Sequence, residues 1–237
     1  MMVVFSYSLN PDIIVMPPGG IAKPEIIPRS RTMPAPPGSN LEGVRWSSYN
    51  NTSFVKFFAH TGTHIDTPFH IDGAGSDLGA FVLEDFVFEQ PLLLEIPKTD
   101  RAKITRADLL PYEKCLAQAD LLLVYTGFSR FRSTDPDRYI NNQPGFTVEA
   151  AEYLMQFSRL RCVAIDLMGI ENIAEGRAAT PPFPVHRAFL LKRKKFLILE
   201  DANLAPLVGR TLKRAFLIPI MLPGVEAMPV TAFAETD

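Results

Sequence analysis

Cysteine is scarce in this chain: two in 237 residues, Cys115 and Cys162, with no CxxC spacing. That excludes a disulfide framework and a thiolate metal site, and Cys162, inside the apolar stretch Cys162-Val163-Ala164-Ile165, reads as a buried thiol. No apolar run approaches the roughly 20 residues of a membrane-spanning helix, so no membrane partner is expected. An excess of either charge is also missing, the formal net charge being −2. Binding to a phosphate backbone needs a basic patch, and the only basic cluster, Lys192-Arg193-Lys194-Lys195, reads as a solvated turn ahead of an apolar strand. No nucleic-acid partner is expected. The N-terminus lacks a basic stretch before its apolar residues, and Asn10-Pro11-Asp12 interrupts it early, so it does not read as a signal peptide and a cytoplasmic location is expected. Internal repeats and low-complexity tracts are absent as well.

Proline, by contrast, is abundant: 21 residues where average usage gives about 12. Many fall in the stretch 11–40, which reads as a long ordered loop or arm, and a structureless loop of that length usually has a function. The hydrophobic fraction of 47% and charged fraction of 21% are ordinary for a globular protein, and the length suits one domain over residues 1–237. Met1 to Leu9 and Ser53 to Phe58 read as β structure. Short apolar runs at Gln90–Ile96, Leu121–Tyr125, Cys162–Asp166, Phe196–Glu200 and Phe216–Ile220 read as strands, several of them buried. Thr105 with Asp108 resembles a capping box opening a short helix, and Thr147 caps a helix to about Phe157 with Val148, Ala151, Leu154 and Met155 on one face. Strands alternating with helices indicate an α/β layer arrangement, and the surplus of strands near the start argues against a purely doubly wound sheet.

Histidine carries the strongest signal. Of the four in the chain, His60, His64 and His70 fall within eleven residues, His60-Thr61-Gly62-Thr63-His64-Ile65-Asp66-Thr67-Pro68-Phe69-His70, together with Asp66. Imidazole and carboxylate are the usual ligands of zinc, manganese and iron. The spacing of His60 and His64 would suit one helix face, but Gly62, the β-branched residues and Pro68 oppose a helix. In an extended segment residues two apart share a face, so His60, Gly62, His64, Asp66, Pro68 and His70 are expected on one side. The alternative is a solvated polar strand face, but burying such a face without a cation or strong partners would be costly.

The segment resembles the HxGTHxDxPxH signature of the cyclase family of metal-dependent hydrolases, which includes bacterial kynurenine formamidase and isatin hydrolase. Every fixed position is present: His60, Gly62, Thr63, His64, Asp66, Pro68 and His70. Weaker similarity runs through Phe5–Leu9, Leu123–Gly127, Gly145–Ala151 and Ile165-Asp166. The resemblance implies a mixed β/β/α swivelling-type cyclase fold, a single α/β domain with a Pro-rich N-terminal arm. It implies His60, His64 and Asp66 as ligands of a first divalent metal (Zn²⁺ or Mn²⁺, one or two per subunit), with Asp66 able to bridge to a second. His186 and Glu200 would complete the second site, and His70 would be the catalytic proton shuttle. Read without the resemblance, His186 could instead pack the short helix Arg187–Leu191, Glu200 could be a solvated strand end, and Asp166 could either orient a ligand histidine or cap a turn. The activity implied is hydrolysis of a small amide by metal-activated water, foremost N-formylkynurenine to kynurenine and formate. Opening of isatin or a lactone is the alternative, and a non-catalytic metal- or ligand-binding scaffold a further one. Trp46 and Phe69, with Tyr49 and Phe81, are candidates to receive an aryl ring, although each could equally be core. A homodimer or homotetramer is expected, with the arm over its own or a neighbouring site.

Overall fold

In the computed structural model, which describes residues 1–10, 22–31, 50–193 and 195–237, four of the five apolar runs become parallel strands of one sheet and the fifth, Phe216–Ile220, falls in its antiparallel part. The strands are β1 Met2–Val4, β2 Glu25–Arg31, β3 Asn50–Lys56, β4 His64–Asp66, β5 Val87–Phe88, β6 Pro91–Glu95, β7 Lys103–Ile104, β8 Leu121–Tyr125, β9 Gly145–Phe146, β10 Cys162–Ile165, β11 Leu197–Glu200, β12 Leu212–Pro219 and β13 Ala227–Thr236. The helices are α1 Arg106–Leu109, α2 Glu113–Leu116, α3 Phe131–Thr134, α4 Pro136–Asn141, α5 Val148–Leu154, α6 Ile173–Ala178 and α7 Pro184–Leu190. β6, β8, β10 and β11 lie side by side and parallel. Parallel strands are covered on both faces, which is why they read as continuous apolar runs.

Beyond β11 the sheet turns antiparallel: β4 pairs with β11 and β13, and β12 pairs with β13 and β5. β1 adds to the far end of β13. Alternate residues of the parallel strands enter different cores. Leu122, Val124, Val163, Ile165 and Ile198 pack under the helices with Ala151, Leu154, Phe189 and Phe196. Leu121, Leu123, Cys162, Ala164, Leu197 and Leu199 face the other way, against Phe86, Phe88, Leu217, Val230 and Ala232 of the antiparallel half. The sheet therefore folds back over itself, and the layers run β/β/α as the family resemblance implied.

Several expectations are corrected. Within the stretch read as an ordered loop or arm, Glu25–Arg31 is a strand that pairs with β3; residues 11–21 and 32–40 of that stretch lie outside the described residues. α5 ends at Leu154 rather than near Phe157, and Val148 is exposed while Ala150 and Tyr153 join the buried face. β13, the longest strand among the described residues, was not anticipated: its buried face runs Met228, Val230, Ala232, Ala234, Thr236, so only its first half is carried by larger apolar side chains. The basic turn is solvated at Lys192 and Lys195, as expected, and only Arg193 is half-buried. Arg193 donates to the carbonyls of Leu160, Met155 and Phe157, while Lys192 and Lys195 pair with Glu152 and Asp85. Among the described residues no helix is long and apolar enough to cross a membrane.

Candidate metal centre and its cavity

The site is built at the carboxyl end of β11, where β4 crosses beside it. Register places Glu200 opposite His64 and Ile198 opposite Asp66. His64 and Asp66 consequently point to one face and Ile65 into the opposite core. The strand is short, however. Gly62 adopts the left-handed region at φ 63°, and Pro68 begins a 3₁₀ turn that ends at His70. Only His64 and Asp66 reach the site by alternation; His60 and His70 are swung in by turns on either side. Thr63 ties the segment down: its hydroxyl donates to the Asp201 carbonyl at 2.5 Å and accepts the Tyr7 amide at 2.9 Å. Asp201 is in turn gripped by Arg132 at 2.6 and 2.7 Å and by the Tyr139 hydroxyl at 2.7 Å.

Among the described residues the ligand-type atoms form two overlapping groups, His60–His64–Asp66 and Asp66–His70–His186, each with its atoms within 4.8 Å of one another. Asp66 belongs to both. Its Oδ1 lies 2.9 Å from His60 Nδ1 and 3.4 Å from His64 Nε2, and its Oδ2 lies 3.9 Å from His186 Nε2. Glu200 spans them as well, with Oε2 3.5 Å from His64 Nε2 and Oε1 3.1 Å from His186 Nε2. Although nitrogens stand this close, both buried Asp66 oxygens lack an aligned hydrogen-bond partner. Buried carboxylate oxygens are ordinarily satisfied. Close, unaligned nitrogens and oxygens are what a ligand set directed at shared cations presents, and imidazole with carboxylate fits zinc, manganese or iron.

Electrostatics point the same way. Burial works against a protonated His60, but the Asp66 carboxylate outweighs it and raises the pKa to about 10. At His186 burial is likewise overcome, here by Glu171 and Glu200, giving about 10. Without a cation, the carboxylates draw protons onto these imidazoles. His70 behaves differently: burial, with the neighbouring His60 and His186 charges, holds its pKa below the usual histidine value.

Two further carboxylates hold the outer nitrogens of ligand-type histidines. Glu171 Oε1 is 2.7 Å from His186 Nδ1, and Glu226 Oε1 is 3.3 Å from His60 Nε2. His64 Nδ1 faces the Gly62 carbonyl at 2.8 Å. Neither Glu171 nor Glu226 was foreseen, since no spacing signature links them to the histidines they meet. Asp166 makes no histidine contact; it caps the turn after β8 through Thr126, Gly127 and Ser129.

His60, His64, His70, His186 and Glu200 line a cavity of about 140 Å³ walled by Phe58, Met168, Ile173 and Phe183, with Arg177 also on its surface. Phe183 takes φ 53°, rare for a bulky residue, which presents its ring to this space 5.4 Å from the His186 ring. Phe69 is half-buried and outside the cavity lining, Phe81 is core, and Trp46 and Tyr49 lie outside the described residues. A larger hollow of about 590 Å³ beside Leu9 and Ile220 has no histidine or carboxylate among the described residues that line it.

The cyclase family model matches residues 5–172, and the chain belongs to that family. A kynurenine formamidase of Geobacillus thermodenitrificans is 28% identical over 80% of this chain and 84% of its own length. An uncharacterized protein of Haemophilus influenzae is 35% identical over 47% of this chain and 82% of its own. A cyclase-like protein of Oryza sativa is 26% identical over 77% of this chain but only 64% of its own length. Among solved structures, isatin hydrolase A from Labrenzia aggregata superposes with a TM-score of 0.74 at 20% identity, covering 99% of this chain and 93% of that one.

Proposed function

We propose that this chain is a metal-dependent hydrolase of small amides, with an arylformamide such as N-formylkynurenine as its foremost substrate. The observation that carries the reading is Asp66: a buried carboxylate shared by two groups of ligand-type side chains, its oxygens unsatisfied, beneath an aromatic-walled cavity. His60, His64 and Asp66 would hold one divalent ion, zinc or manganese, and Asp66, His186 and Glu200 a second. When bound, such ions supply Lewis acidity and bring the pKa of water towards neutrality.

The chain's own residues supply the rest. Phe58 and Phe183 would flank an aryl ring and keep bulk water from the scissile bond. An amine leaves poorly unless protonated, so a group must take a proton from the attacking water and return it to the nitrogen as the C–N bond breaks. His70 lines the cavity and is held below the usual histidine pKa, which leaves it neutral and able to accept that proton. His70 also stands at ligand distance from Asp66 and His186; the family resemblance implies proton transfer for it, with Glu200 in the ligand place. Similarity to the Geobacillus formamidase supports an open-chain aryl amide, while the isatin-hydrolase likeness favours a second reading, opening of a cyclic amide or lactone ring.

A hydrolysis screen with Zn²⁺ or Mn²⁺ separates these. Turnover of formylkynurenine above isatin and simple lactones is the expected result. Preferential ring opening would replace the substrate, and bound metal without turnover of any of them would favour a ligand-binding scaffold.

A further inference from the structure

Glu171 is buried, yet one of its oxygens is crowded with donors. Oε1 lies 2.7 Å from His186 Nδ1 and accepts the backbone N–H groups of Val185 and His186, each at 3.1 Å. The second oxygen packs against Gly176, where an added Cβ would stand 3.1 Å from it. The segment that bears Glu171 is pinned in turn. Gln143 donates to the Glu171 carbonyl at 2.9 Å and accepts the Gly169 amide at 3.2 Å. Asn172 donates to the Gln143 carbonyl at 2.9 Å. Between them, the Ile170 amide donates to Glu200 Oε1 at 2.6 Å. Four consecutive residues, 169–172, thus hold both Glu200 and His186.

We propose that Glu171 is a positioning residue for His186, accepting the Nδ1 proton so that Nε2 faces the cation site between Asp66 and Glu200. The inference rests on the metal-dependent reading above. A carboxylate on the far nitrogen fixes the tautomer and ring orientation and strengthens the near nitrogen as a ligand. Its two backbone bonds would serve α7 equally well in a merely structural role, so the test must separate the two.

The full-length chain, stripped of metal, is titrated with Zn²⁺ against a chelator in wild-type, Glu171→Gln, Glu171→Ala and His186→Ala forms, with thermal melting alongside. The expected result is two ions in the wild type, with one weakened roughly 10- to 100-fold by Glu171→Ala and less by Glu171→Gln, which keeps an acceptor oxygen. The other ion should hold its affinity. In the His186→Ala background the Glu171→Ala effect should vanish, as it must if Glu171 acts through that ring. Wild-type affinity for both ions in a Glu171→Ala protein that merely melts lower would overturn the proposal, as would an equal loss in the His186→Ala background. Should Glu171→Ala fail to fold, Glu171→Gln carries the same comparison. A wild type that binds no zinc overturns the metal-dependent reading itself, and this inference with it.

Discussion

Among single residues, His70 divides the two uses of imidazole in the cavity. His60, His64 and His186 each have a second ring nitrogen committed to an oxygen, of Glu226, Gly62 and Glu171 respectively. His70 instead touches His60 and His186 ring to ring, at centroid distances of 4.5 and 5.8 Å. A ligand benefits from being fixed, whereas a proton carrier needs a free nitrogen and a pKa near the working pH. His70→Ala should therefore lower kcat by roughly 100- to 10,000-fold while both ions remain bound, read by steady-state kinetics with metal analysis of the same sample. Loss of an ion together with activity would make His70 a ligand. The histidine cluster was legible because seven fixed positions in eleven residues leave little room for chance. Glu171, Glu226, Phe58 and Phe183 were not, because their roles arise from loops that meet only after folding.

At the scale of the element, the site depends on where β4 starts and stops. Gly62 sits in the left-handed region at φ 63° just before the strand, and this turn carries His60 back to within 2.9 Å of Asp66. An L-residue there costs about 1–2 kcal/mol. Gly62→Ala should lose about that much stability in urea unfolding of the metal-free protein and should weaken zinc binding, because His60 would be displaced. Unchanged stability would mean that the turn relaxes without strain. The extended-face pattern correctly paired His64 with Asp66, yet it overextended to His60 and His70 because Gly62 and Pro68 break the strand on both sides. The parallel strands were legible as runs of Leu, Val and Ile. β13 was not, although it pairs with β4 on the side away from β11.

For the molecule as a whole, the site binds folding to protons and to metal. In the metal-free chain His60 and His186 titrate near pH 10, against 6.5 for an ordinary histidine. Between those values the folded state holds more protons than the unfolded one, so stability falls as pH rises through this window. Asp66, pushed well below the usual carboxylate range despite its burial, chiefly by His60 and His70, contributes in the opposite sense. Its stabilisation is present above about pH 4 and is lost as pH falls further. His70, with a lowered pKa, also disfavours the folded state as pH drops through 6.5. Bound cations would take the place of the protons on His60 and His186, since ligating imidazole is neutral and metal binding releases protons. The melting temperature of the chelator-treated protein should thus decline from pH 6.5 towards pH 10, while that of the metal-loaded protein declines less, so the gap between them widens with pH. A gap that stays constant or narrows over that range would show that the carboxylate cluster does not draw protons onto these histidines, and that metal enters without displacing them.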